Sequence, residues 1–195
     1  SGGWTLPGYE DLAWLARSNP SNNPREDKDG AMSLDADALQ PAKILLVEDE
    51  PVQTILVKAA LANLPRLDLM QVAKNGVEAM TFLRREAHRV NGQLPDLILL
   101  DINMPEKNGF EVLLELNSDP LLRRIPTVVF TTSNSQEDID RAYEEGANSF
   151  VTKPVTLGDL ERVLSRLDDY WVKTVRLPIR LQVAKEAERR FWRSA

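Results

Sequence analysis

Three features of the chain predict an α/β fold built on a doubly wound parallel sheet. From Lys43 onward, apolar runs alternate strictly with helical stretches, the mark of successive βαβ units. The runs Ile44-Leu45-Leu46-Val47, Leu97-Ile98-Leu99-Leu100 and Val128-Val129-Phe130 are continuously apolar, as expected of strands covered on both faces. Each run stops at ligand-type side chains: Glu48-Asp49-Glu50, Asp101, and Thr131-Thr132-Ser133, with Val151-Thr152-Lys153-Pro154 behind the last. In an open α/β sheet the ligand crevice lies beyond these carboxyl ends.

Taken in order, strands are expected near 43–48, 68–73, 96–101, 126–131 and 149–152, and helices near 51–63, 76–89, 108–117, 136–145 and 157–171. Pro65 closes the first helical region, because proline lacks an amide donor and disfavours helix before it. Asn75-Gly76, Asn108-Gly109 and Gly146 supply turns between elements. Five strands joined by right-handed crossovers allow few arrangements. The flavodoxin-like order 2-1-3-4-5, with five helices and a C-terminal extension, is one that makes the first strand central. It sets Asp49 and Asp101 on neighbouring strands, followed by Thr131 and Lys153.

The flanks are read differently. Residues 1–41 lack a sustained hydrophobic period and hold a polar stretch from Ser18 to Gly30 with Pro20 and Pro24, which reads as an extension or linker. The folded domain is placed at 42–171 and a C-terminal arm at 172–195. Ile179, Val183, Ala187 and Phe191 recur at near-helical spacing, fitting either an amphipathic dimer or partner helix or a solvated tail.

Bulk composition narrows the function classes. The chain has 195 residues, 43% hydrophobic and 28% charged, as in globular domains rather than disordered ones. A formal charge of −6 argues against non-specific binding to nucleic acid or anionic membrane, which require a cationic surface. With no cysteine, disulfides, thiolate catalysis and Cys-based zinc sites are excluded together. No apolar stretch approaches the ~20 residues of a membrane span, and the first residues lack signal-peptide order. The expectation is a cytoplasmic protein.

Acids, hydroxyls and an amine meeting at one sheet edge point to a Mg²⁺-dependent phosphoryl site. The motifs Val47-Glu48-Asp49-Glu50, Leu99-Leu100-Asp101-Ile102-Asn103-Met104-Pro105, Asn108-Gly109, Thr131-Thr132-Ser133 and Phe150-Val151-Thr152-Lys153-Pro154 resemble those of the receiver domain of bacterial response regulators, from roughly Lys43 to Asp169. The resemblance implies that Asp101 is the phosphoacceptor. It implies that Asp49 and Asp101 bind Mg²⁺ directly, that Glu48 acts through water, and that the Asn103 backbone carbonyl completes the protein ligands. Hard oxygen ligands around a hydrated ion suit Mg²⁺. It further implies that Lys153 and Thr131 contact phosphoryl oxygens, that Phe150 is the aromatic switch partner of Thr131, and that Asn103, Thr132 and Ser133 tune phosphoryl lifetime. A cis Lys153–Pro154 bond is also implied, cis bonds being largely confined to X-Pro.

Each residue alone has a plainer reading. Asp101 is able to start a turn, Glu48 and Asp49 to cap the next helix, Thr131 to sit in a strand, Lys153 to face solvent, and Phe150 to fill the core. His88, the sole histidine, reads as a surface residue. The resemblance implies a single-domain, non-enzymatic regulator or phosphorelay intermediate. Its partner would be a sensor histidine kinase or a phosphotransfer protein. Asp169-Tyr170-Trp171-Val172-Lys173-Thr174-Val175-Arg176-Leu177-Pro178 resembles the arm of regulators that partner bacterial phytochrome (bacteriophytochrome) kinases, an arm that takes part in homodimers. An interaction module not switched by phosphorylation is one alternative. A haloacid-dehalogenase-type phosphohydrolase is another, but it needs an acid two residues past the nucleophile, where Asn103 stands. A nucleotide or flavin binder would need a phosphate-cradling loop after the first strand, and Glu48-Asp49-Glu50-Pro51 is acidic and glycine-free.

Overall fold

The computed structural model describes residues 41–178. The strands are β1 (Ala42–Val47), β2 (Leu67–Ala73), β3 (Leu97–Leu100), β4 (Thr127–Thr131) and β5 (Ser149–Thr152). Between and after them run α1 (Pro51–Leu61), α2 (Gly76–His88), α3 (Gly109–Ser118), α4 (Gln136–Glu144) and α5 (Leu157–Asp168). All strand pairs are parallel, and the sheet order is β2-β1-β3-β4-β5, as predicted.

Alternation along each strand divides the core in two. Leu45, Val47, Ala73, Ile98, Leu100 and Val129 face α2, α3 and α4, where they pack with Met80, Leu83, Phe110 and Leu113. Their neighbours Ile44, Leu46, Leu97, Leu99, Val128 and Phe130 face α1 and α5, packing with Val57, Leu61, Leu160 and Leu164. Adjacent side chains of a strand point to opposite faces, so continuous apolar runs are what two helical layers require. One register shift interrupts the β1–β2 pairing between Ile44 and Leu45.

The local chemistry departs from the sequence reading at several ends. Asn75 and Asn108 are helix N-caps rather than plain turn residues: their side chains accept hydrogen bonds from Glu78 N and Glu111 N, satisfying donors that have no partner within the helix. Asn108 and Glu111 complete a capping box. A short 3-10 turn, Leu122–Arg124, precedes β4. The last helix stops being α-helical at Asp168 and continues as a π-helical turn, Asp169–Thr174. There Val175 N donates to Tyr170 O at 2.9 Å and Thr174 Oγ1 to Asp169 O at 2.8 Å.

That turn is anchored. Asp168 is 1% exposed, and Arg66, just before β2, donates to it through Nε at 3.2 Å. Trp171 is buried in the α1/α5 core layer, with Val172, Val175 and Leu177 packed against the same layer. Val172, Val175 and Leu177 of the expected arm therefore pack on this layer, while Lys173, Thr174, Arg176 and Pro178 are exposed. The remainder, 179–195, and the N-terminal extension, 1–40, lie outside the described residues.

Candidate phosphoryl and metal site

Backbone pairing at the carboxyl ends of the strands sets the site. Asp101 N donates to Val47 O at 3.0 Å, which holds the end of β3 against the end of β1. Lys153 N donates to Thr131 O at 2.6 Å, which does the same for β5 and β4. One carboxylate oxygen from each of Glu48, Asp49 and Asp101 lies within 4.8 Å of the others. Glu48 and Asp49 do not cap α1. Its N-cap is Glu50, without a side-chain bond, and Pro51 opens the helix.

The Lys153 side chain crosses into this cluster. Its Nζ donates to Glu48 Oε2 and to Asp101 Oδ2, each at 2.5 Å. Glu48, Asp101 and Lys153 are all buried, so the solvated-lysine reading is overturned. Buried charges persist only when paired and hydrogen-bonded. Burial pushes the Glu48 carboxyl above the ordinary range, with the Lys153 ammonium opposing the rise. Asp49 is half-buried and its carboxylate makes no hydrogen bond or ion pair among the described residues. Lys153 thus bonds two of three clustered acids, and their hard oxygens form a donor set that fits a small divalent cation.

The bond expected to be cis is trans: no described peptide bond is cis. The trans form of X-Pro is favoured by about 0.5–1 kcal/mol, and Lys153 reaches both carboxylates from it.

Asp101 is held on both sides, since Asn103 N donates to its Oδ1 at 3.0 Å and Lys153 binds Oδ2. The approach of α3 is equally tight. A Cβ on Gly109 would stand 2.4 Å from Asp101 O, so only glycine lets α3 start here.

Thr131 is fully buried. Its Oγ1 accepts from Asn103 Nδ2 at 3.4 Å and from Ser133 N at 3.3 Å, and its own proton has no acceptor among the described residues. Phe150, half-buried, pairs with Val129 and packs on the α2/α3/α4 layer. Thr132 and Asn103 are exposed. His88 is exposed as well, its Nδ1 2.7 Å from Arg84 O, and it lies away from the cluster. Sequence reasoning missed Asp138, in the first turn of α4, which accepts from Ser133 Oγ at 2.5 Å. It also missed Thr152, whose Oγ1 donates to Ser133 O at 3.3 Å. The Ser135-x-x-Asp138 spacing at a helix start was the available signal.

A parallel five-stranded sheet in this order, with three acids, a threonine and a lysine at one edge, defines the receiver class. Residues 44–165 match the family model of the response regulator receiver domain, and the chain belongs to that family. Among its relatives is response regulator Rcp1 of Synechocystis sp., 39% identical over 138 residues, which are 71% of this chain and 94% of the relative. Similar crystal structures include those of two response regulators. The phosphorylated cyanobacterial phytochrome response regulator RcpA is 41% identical with a TM-score of 0.64, covering 71% of this chain and 99% of that one. The Mn²⁺-bound form of Rcp1 is 38% identical with a TM-score of 0.61, covering the same shares of each chain.

Among the described residues, no helix is long and apolar enough to cross a membrane.

Proposed function

We propose that this chain is a phosphoacceptor regulator that takes a phosphoryl group onto Asp101 from a histidine kinase or a phosphotransfer protein. The observation that carries the reading is the convergence of Glu48, Asp49 and Asp101 oxygens within 4.8 Å, with Lys153 bonded to the proposed acceptor. In the reaction an Asp101 oxygen bonds to phosphorus as the bond from phosphorus to the donor imidazole nitrogen breaks. That nitrogen keeps the electron pair and later takes a proton. A Mg²⁺ ion held by Asp49, Asp101 and the Asn103 carbonyl, with Glu48 acting through water, would neutralise charge on the phosphoryl oxygens.

The chain's own groups do the positioning. Asn103 N and Lys153 fix the plane of the Asp101 carboxylate, as a weak nucleophile requires. Lys153 is placed to turn from Asp101 to a phosphoryl oxygen. Thr131, whose oxygen already accepts two bonds, has a proton to give to another. Asn103 carries an amide that cannot shuttle protons, which favours a lasting aspartyl phosphate over turnover and fits a regulator rather than an enzyme. Thr132 and Ser133, beside the attack path, would set its lifetime with Asn103. The signal would pass through Thr131 and Phe150 to a protein-binding face on α4, β5 and α5.

Similarity to regulators described as phytochrome response regulators supports a phytochrome-type kinase as donor and, with it, a cytoplasmic location. The packed arm around Trp171 supports a self-associating subgroup, and we propose a homodimer with no nucleic-acid partner. The domain boundaries proposed are an extension at 1–41, a receiver at 42–171 and an arm at 172–195.

The test is treatment with acetyl phosphate in Mg²⁺ or in EDTA, read by intact mass and sizing. A gain of one phosphoryl group that requires Mg²⁺ and is lost in Asp101→Asn is expected. Equal labelling of that variant contradicts the assignment.

A further inference from the structure

Ser133 is bonded to three elements at once. Its backbone N–H donates to Thr131 Oγ1 at the end of β4. Its carbonyl accepts from Thr152 Oγ1 at the end of β5. Its hydroxyl donates to Asp138 Oδ2 at 2.5 Å, in the first turn of α4, and accepts from Ser135 N at 3.4 Å. Asp138 is itself fixed, its N–H donating to the N-cap Ser135 Oγ at 3.1 Å.

We propose that the Ser133 hydroxyl and the Asp138 carboxylate form a clasp that carries displacement of Thr131 into α4, making Ser133 a positioning residue for the output of the site. The proposal rests on the phosphoacceptor reading above. Charge-assisted O–H···O⁻ bonds are short and about twice as strong as neutral ones, so this is the stiffest polar link between the 132–135 loop and the helix. The remaining ties of Ser133 are weaker. The bond from its N–H to Thr131 is long at 3.3 Å and competes with Asn103 Nδ2 for the same oxygen.

The sequence of events follows from those bonds. When Thr131 swings toward a phosphoryl oxygen on Asp101, its Oγ1 is drawn away from the Ser133 N–H. A partly buried donor stripped of its partner is costly, so the loop moves to keep or replace that bond. Because the Ser133 hydroxyl is fastened to Asp138, the first turn of α4 moves with it. Thr152, whose Oγ1 donates to the Ser133 carbonyl, carries the same movement into β5 by a separate route. Without the clasp the loop and β5 still respond, and α4 does not.

The experiment is amide hydrogen exchange on the full chain, with and without beryllofluoride and Mg²⁺, in the parent protein and in Ser133→Ala, Ser133→Thr and Ser135→Ala. In Ser133→Ala with saturating beryllofluoride, the exchange change in 131–135 and 149–152 persists. The change in peptides covering 136–144 falls by roughly half or more. Ser133→Thr restores it, since the hydroxyl returns. Ser135→Ala removes the N-cap and the tie to Asp138 N but spares the Ser133–Asp138 bond, so it raises basal exchange in α4 but keeps the beryllofluoride-dependent change.

A full parental change at 136–144 in Ser133→Ala overturns the proposal, as does an equal loss in Ser135→Ala, which would make Ser133 no more than a stabiliser of the helix end. Failure of the phosphoacceptor reading shows differently: the parent itself neither labels nor changes its exchange.

Discussion

Lys153 Nζ lies 2.5 Å from Asp101 Oδ2, so the fifth strand supplies the counter-charge for the third. The same ammonium also serves Glu48, and all three groups are buried. Removing one partner of a buried ion pair leaves an uncompensated charge and typically costs about 3–5 kcal/mol. Lys153→Ala is therefore expected to lower the urea midpoint strongly in EDTA. Mg²⁺ should restore more stability to this variant than to the parent, because a cation replaces the lost charge. An unchanged midpoint in EDTA contradicts the buried triad.

Gly109 admits no side chain. Its Cβ would meet Asp101 O at 2.4 Å and Ile102 Cα at 2.7 Å, both backbone and unable to swing aside. Gly109→Ala is expected to destabilise by about 1–3 kcal/mol, the usual cost of overpacking. It should also slow Asp101 labelling, since the acceptor's own backbone must shift. Parental stability with parental labelling kinetics would show that α3 begins with room to spare.

The aromatic pair at the π-helical turn divides its roles. Trp171 is buried in the α1/α5 layer, while Tyr170 is 52% exposed and packs edge-on against it. Truncating a buried tryptophan costs about 3–5 kcal/mol, and an exposed residue costs within about 0.5 kcal/mol. Thermal denaturation of Trp171→Ala and Tyr170→Ala should separate clearly. Equal, small effects would mean that the arm does not pack on the domain.

Glu115 supplies a pH signature remote from the site. It pairs with Lys107 and, at 2.6 Å, with Arg84. Burial pushes its carboxyl up, but these two cations outweigh it and hold it below the ordinary value of 4.5. A depressed folded-state value means stabilisation that is present above 4.5 and lost as pH falls through the folded value. At neutral pH, Glu115→Gln should be less stable by up to about 1 kcal/mol, as for partly exposed pairs. Chemical denaturation at decreasing pH should show the gap closing. A gap that stays constant into acid would rule out this carboxylate as its source.

Sheet order and the meeting of Glu48, Asp49, Asp101 and Lys153 at one edge were legible because each is written locally. Two-layer burial forces continuous apolar strands such as Ile44–Val47, and the polar residue ending each strand lands on one edge. What sequence left open depends on distant partners. Whether Lys153 faces solvent or Asp101 depends on a residue 52 positions away, and the trans state of its bond to Pro154 is a choice of under about 1 kcal/mol. Asn75 and Asn108 carry short side chains that serve turns and caps alike, so the sequence does not separate the two. The π-helical turn at Asp169–Thr174 has no pattern of its own, because it arises where Arg66 and Trp171 tie the helix end to the sheet. The Ser133–Asp138 bond combines a loop residue with a helix residue, neither of them in an apolar period.

The proposed function requires one side chain to accept the phosphoryl group. Acetyl-phosphate-treated protein in Mg²⁺, reduced with borohydride, converts an aspartyl phosphate to homoserine, which peptide mass spectrometry locates by residue. Homoserine is expected at position 101 alone. Conversion at Asp49 or elsewhere, or none in fully folded protein, would contradict it.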